Sequence, residues 1–166
     1  MATIAITIRG DKETADVLRK LSNEFKDFSV PLDNSSKKYL NVISSNFKDE
    51  GNTFGRPWPP LSRATIEIKR KLRAVGKSIG VTKPLLRTGL LRRSFGFELK
   101  GKNQSNIYNA TDYALIHQEG GTVFFKGKER KVPRRILADI DDRRIQSVGM
   151  TFERWVYDLI RKYKAE

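Results

Sequence analysis

Apolar positions recur along this chain with two periods, and those periods divide it into strands and helices. Ile4, Ile6 and Ile8 alternate with Ala5 and Thr7, the pattern of a strand with one buried face, and Gly10 and Asp11 end it. From Asp11 to Phe28, the residues Leu18, Leu21, Phe25 and Phe28 form one stripe of a helix. Pro31 and Asp33 then punctuate the chain, and a second helix through Gly51 places Tyr39, Leu40, Ile43 and Phe47 on a common face. At the far end, Phe152, Trp155, Val156, Leu159, Ile160 and Tyr163 predict a helix from about Asp139 to Lys164. Asp139, Asp141 and Asp142 lie near its positive end, and Arg161, Lys162 and Lys164 near its negative end, as the helix dipole favours. Gly149 marks a break or a join within it.

The middle of the chain is less regular. Gly51, Gly55, Pro57, Pro59 and Pro60 break structure between Gly51 and Pro84, while Trp58 and Leu61 offer apolar anchors. A short helix from Ser62 to about Lys71 is expected, capped by Ser62. Arg73 to Lys83 reads as a mobile loop that orders on contact with a partner, and 51–84 as a flexible region within the domain. Leu85 to Ser94 is expected as a short helix with Leu86, Leu90 and Leu91 inward and Arg87, Arg92 and Arg93 outward. Gly89 in its middle, costing about 1 kcal/mol against Ala, signals close backbone packing or a break. Phe95 to Leu99 and Asn106 to Ala110 alternate like two strands around a Gly101 to Ser105 turn. Tyr113 to Glu119 suits a single helical turn stopped by Gly120 and Gly121, and a further hairpin follows from Thr122 to Pro133. Phe95, Phe97, Phe124 and Phe125 are expected as strand core. Together these elements make an α+β fold over 1–166, one domain, with a small antiparallel sheet of four or five strands packed against N-terminal and C-terminal helices and long basic loops.

Charge sharpens the picture. The 33 Lys and Arg residues against 19 Asp and Glu give +14, which favours acidic protein surfaces, nucleic acid or anionic lipid as partners. The excess is local: from Arg63 to Arg93 the only acid is Glu67, and from Lys126 to Arg135 the only acid is Glu129. The absence of cysteine excludes disulfides, thiolate metal sites and cysteine nucleophiles. No run approaches transmembrane length and the first residues lack an apolar signal core, so a soluble cytoplasmic product without a membrane partner is expected.

Catalytic patterns are missing. His117 is the only histidine, so a metal site would have to combine it with acids such as Asp112 or Glu119, and Glu119, two residues on, points elsewhere. Asp141 and Asp142 are adjacent, a poor geometry for an acid and base flanking one bond. No Gly-x-Ser-x-Gly elbow is present. No metal, no cofactor and no catalytic residue is expected. The residues expected to meet a partner are Arg87, Arg92, Arg93, His117, Gln118, Lys131, Arg134 and Arg135. The cations among them could face one surface, while His117 and Gln118 either build the fold or present polar contacts.

Four short segments occur in an order that resembles the phage virion morphogenesis family, which includes the tail completion proteins of Mu-like and related tailed phages. The matching residues are Trp58, Leu61, Ser62 and Thr65; Lys83, Leu85, Thr88, Gly89, Leu91 and Ser94; Tyr113, Ala114, His117, Gln118 and Gly120; and Pro133, Arg135 and Leu137. Where the family usually has Pro-x-Arg followed by an aromatic, Leu and Gly, this chain has Ile136, Leu137 and Ala138. The resemblance implies a non-enzymatic structural protein of the virion that completes the tail or joins head to tail, assembled in the bacterial cytoplasm. Its partners would be other phage tail or head-tail connector proteins. Its role is similar to that of tail terminator proteins, which implies a homo-oligomeric ring, a hexamer by analogy. The alternative from another class is a nonspecific basic DNA-binding protein using the same cationic clusters.

Overall fold

The computed structural model describes residues 12–125 and 127–164, so the predicted strand from Ile4 to Ile8 lies outside the described residues. Helix α1 spans Lys12–Glu24 and α2 spans Ser29–Lys48. The predicted first helix stops short of Phe28 because Phe25 to Phe28 make a turn: the Phe28 N–H donates to Lys102 O (2.9 Å) and Asp27 Oδ1 accepts from Ser29 N (2.9 Å). Pro31, expected to separate the helices, sits instead in the first turn of α2, where its missing N–H breaks no intrahelical bond. The long helix α3, Arg63–Ala74, begins as expected, with Ser62 Oγ accepting from Thr65 N at 3.2 Å. It is preceded by a one-turn 3-10 helix, Asn52–Phe54.

The expected helix from Leu85 to Ser94 contracts to the single turn α4, Leu90–Arg93. Gly89 does not sit inside it but precedes it, at φ +75°, a left-handed conformation that glycine adopts without steric cost. Leu91 is buried, whereas Leu90, expected inside, is 48% exposed. The strands β1 (Phe95–Lys100) and β2 (Gln104–Asn109) pair antiparallel with Phe95 opposite Asn109 and Lys100 opposite Gln104. After the short helix α5 (Ala114–Glu119), β3 (Gly121–Phe125) and β4 (Lys128–Val132) form a second antiparallel hairpin. The described strands therefore make two separate two-stranded sheets rather than one of four or five. The class is α+β, as expected. Helix α6, Asp142–Lys164, runs without interruption through Gly149.

The core forms where α2 meets everything else. Ile43 and Phe47, at helical spacing, pack with Trp58, Leu91 and Leu137, and Phe95, Ile107 and Ala114 close around them. Phe47 meets Trp58 edge-on at 5.1 Å and Phe95 at 6.0 Å. On the other side α6 lies against α1 and α2: Trp155 meets Phe25 at a tilt and Phe28 edge-on, each at 5.8 Å, in the turn between those helices, and Lys38 Nζ donates to Thr151 Oγ1 (2.9 Å). Tyr163 donates to Glu24 at the far end of that seam. Asp141 Oδ1 accepts from Arg144 N at 3.0 Å, fixing the start of α6, and Arg144 reaches Thr53 O (2.7 Å) to tie in the 3-10 turn.

Candidate functional site

The segment from Pro133 to Asp139 has no regular structure of its own, and four side chains from three distant regions fix it. Ile136 O accepts from Trp58 Nε1 (2.9 Å) and from Asn46 Nδ2 (2.8 Å). Gln118 Oε1 accepts from Leu137 N (2.7 Å) and Ala138 N (3.2 Å), and its Nε2 donates to Ala138 O (2.9 Å). Arg135 N donates to His117 O (2.7 Å), Arg135 Nη2 to Pro59 O (3.1 Å), and Tyr39 to Asp139 O (2.8 Å). A buried peptide group left unpaired costs about 1–3 kcal/mol, so this net makes an irregular segment tolerable inside the fold. Gly120 admits it sterically: a Cβ there would lie 2.9 Å from Arg134 N.

Trp58, Gln118, Gly120 and Arg135, singled out in the sequence, are thus brought together, mainly as scaffold. Gln118, one of the expected partner contacts, spends its amide on the backbone. Arg135, expected on a surface with the other cations, is 6% exposed. Asn46, fully buried, was not anticipated, although it lies three residues after Ile43 on the apolar face of α2 and so carried a signal.

Beside this net runs a groove of about 630 Å³ between α3, the loop leading into α4, and α5. Leu61, Thr88, Tyr113, His117 and Arg135, all part of the motif order, line it. Of the eight expected partner residues, Arg87, His117 and Arg135 meet there. The others lie apart: Arg92 is half-buried, Arg93 and Arg134 are exposed, and Lys131 stands on the outer hairpin. Arg134 Nε donates to Gln118 O (3.3 Å). Thr88 Oγ1 accepts from Leu90 N (3.3 Å) and Ser94 Oγ donates to Leu90 O (2.9 Å), so both serve α4. Phe124, expected in the core, is 79% exposed on β3.

The loop from Arg73 to Lys83 is held by backbone bonds, Lys77 N to Leu72 O (2.7 Å) and Ile79 N to Arg87 O (2.6 Å). Lys69, buried on α3, donates to Lys83 O (2.5 Å), and burial lowers its pKa below the ordinary lysine value while Glu50 opposes that. His117 is lowered by burial and then by the Arg135 charge, which keeps its imidazole neutral near pH 7. Its Nδ1 and Arg135 Nε have no hydrogen-bond partner among the described residues. Tyr113 meets the imidazole edge-on at 6.1 Å. Among the described residues no group of acids and histidine could hold a metal ion, and no helix is long and apolar enough to cross a membrane.

A net that spends its polar side chains on backbone, beside an open groove lined by cations and leucines, marks a small basic α+β protein. The model of the phage virion morphogenesis family matches residues 10–157, and the chain belongs to that family. Its role is accordingly structural, in the building of a phage virion. No curated protein and no solved structure matches the chain.

Proposed function

We propose that this protein acts without catalysis at the end of phage assembly, completing the tail or joining it to the head. The observation that carries this reading is the family match over 10–157, most of the chain. Two exposed features support it: the β3–β4 hairpin presents Phe124 to solvent, and Arg93 and Arg134 stand without an acidic partner within ion-pair distance among the described residues. Such groups suit contact with other tail or connector proteins, or with further copies in a ring. In a hexamer the formal charge would sum to about +84 (six times +14), so a ring of this chain requires acidic neighbours or DNA beside it.

Electron microscopy of lysates from the parent phage with this gene inactivated tests the role. DNA-filled heads beside separate or abnormally long tails are expected; normal infectious particles would remove it. The same exposed cations favour nonspecific DNA contact as the second reading, for which log affinity would fall with log salt at a slope near about −5 if about six phosphates were neutralised.

A further inference from the structure

The groove beside α3 holds two cations that the fold buries without a contacting carboxylate, Glu50 acting on Lys69 only from beyond ion-pair distance. Arg135 and Lys69 are each 6% exposed, and neither has a carboxylate within ion-pair distance among the described residues. Arg135 gives one hydrogen bond to Pro59 O while its Nε gives none, and Lys69 gives one to Lys83 O. Arg87 adds a third cation, and none of the residues lining the groove is acidic. Removing a charge from water without an opposing partner is costly, and a partner that supplies the opposite charge offsets part of that cost. Much of the remaining lining is apolar, with Leu61, Leu72 and Leu85 on the walls and Ile68 and Leu90, 58% and 48% exposed, on the rim, and the other groups there, among them Thr88, Tyr113 and His117, are uncharged or weakly basic.

We propose that this groove docks an acidic peptide segment of a partner protein, its carboxylate meeting Arg135 and Lys69 and its flanking apolar side chains lying on Ile68 and Leu90. Charge complementarity selects the acid, and the apolar rim selects a polypeptide over a nucleic acid. A phosphate backbone tracks exposed cations, and of the groove's three only Arg87 is exposed, while Arg135 and Lys69 are recessed and the exposed Arg93, Arg134 and Lys131 lie outside it. A second copy is a poorer occupant, because copies carrying +14 each repel one another. The proposal rests on the assembly role only for the kind of protein that carries the segment.

The test uses the purified full chain and a fluorescein-labelled peptide in which glutamates alternate with pairs of leucines, with the glutamine version as control. His117 is the chain's single histidine, so its imidazole Cε1–H proton signal reports on this groove alone. The glutamate peptide is expected to bind at least about tenfold more tightly than the glutamine peptide and to shift the His117 signal. Arg87→Glu and Ile68→Glu, both at exposed positions, should each weaken binding about tenfold or more. Arg134→Glu, the same charge change outside the groove, should weaken it less than about threefold. Equal losses in Arg87→Glu and Arg134→Glu would overturn the proposal. So would absence of binding, a stationary His117 signal, or tighter binding of an oligothymidylate of matched charge with the same shift. A His117 shift that follows protein concentration alone would assign the groove to a second copy and overturn it too. If the peptide fails while gene inactivation still leaves tails unfinished, the groove is refuted and the assembly role stands.

Discussion

Gln118→Ala tests whether the motif glutamine holds the fold or meets a partner. The substitution removes three hydrogen bonds to the backbone of Leu137 and Ala138. Leu137 is 2% exposed, so its N–H would be stranded at about 1–3 kcal/mol. The Ala138 groups are only part-buried and border the open cleft between α5 and β2, so water replaces their partners at a loss of about 1 kcal/mol in all. The expected cost is about 3 kcal/mol, which for a chain of this length lowers the melting temperature by roughly 6–12 °C. Thermal and urea unfolding followed by circular dichroism measure it, with an unchanged urea slope as the sign that only stability has moved. A melting point within about 2 °C of the parent, together with failed particle assembly, would refute the scaffold argument and return Gln118 to an interface.

Four further outcomes follow from the same geometry. Trp58→Phe and Asn46→Ala each leave Ile136 O with one donor, so the double variant should be less stable than the sum of the singles by about 1 kcal/mol, read from a double-mutant cycle in urea. Gly120→Ala should cost more than about 2 kcal/mol in the same assay, because φ +73° with ψ −173° is a glycine-only region and the new Cβ would press on Arg134. His117 is held neutral by burial, so its folded pKa lies below the ordinary 6.5; stability from this group is complete above pH 6.5 and declines as pH falls below it, and His117→Gln should flatten that decline between about pH 7 and 5.5. Arg93→Glu and Arg134→Glu, both exposed, should leave stability within about 0.5 kcal/mol, whereas Arg135→Glu should unfold the chain by burying an acid against the backbone carbonyl of Pro59.

Elements built from long periodic stripes were legible in the sequence. The helix containing Ile43 and Phe47, the final helix and the Ser62 cap stand where periodicity and capping chemistry put them. Errors fell where a single dihedral or a distant contact decides. Gly89 at φ +75° turned a predicted helix into a loop with one turn, and α6 absorbed Gly149 because packing against α1 and α2 outweighs one weak propensity. The site was half legible. Trp58, Gln118 and Arg135 announced themselves as motif residues, but their partners are carbonyls and amides of Pro59, Ile136, Leu137 and Ala138, and a backbone group leaves no mark in a sequence. The burial of Lys69 leaves no sign in the sequence, because nothing local shows that Lys83 O would cover it.

If the proposed docking holds, the same net that spends Gln118 and Trp58 on backbone also prepares Arg135 for recognition. Its own N–H is bound to His117 O, the next carbonyl to Trp58 and Asn46, and the next two amides to Gln118. The backbone is therefore pinned on both sides of the residue, and Pro59 O fixes the guanidinium itself. A side chain ordered by folding loses little freedom when a carboxylate arrives, whereas a free surface arginine would forfeit about 0.5–1.5 kcal/mol of rotamer entropy on the same contact. Arg93, exposed on the surface, lacks that preparation, and Arg134, exposed with one bond to Gln118 O at 3.3 Å, has less of it; both suit contacts whose strength comes from number and salt-sensitive charge. The chain thus carries two kinds of cation, and the division between them follows from which backbone groups the motif side chains hold.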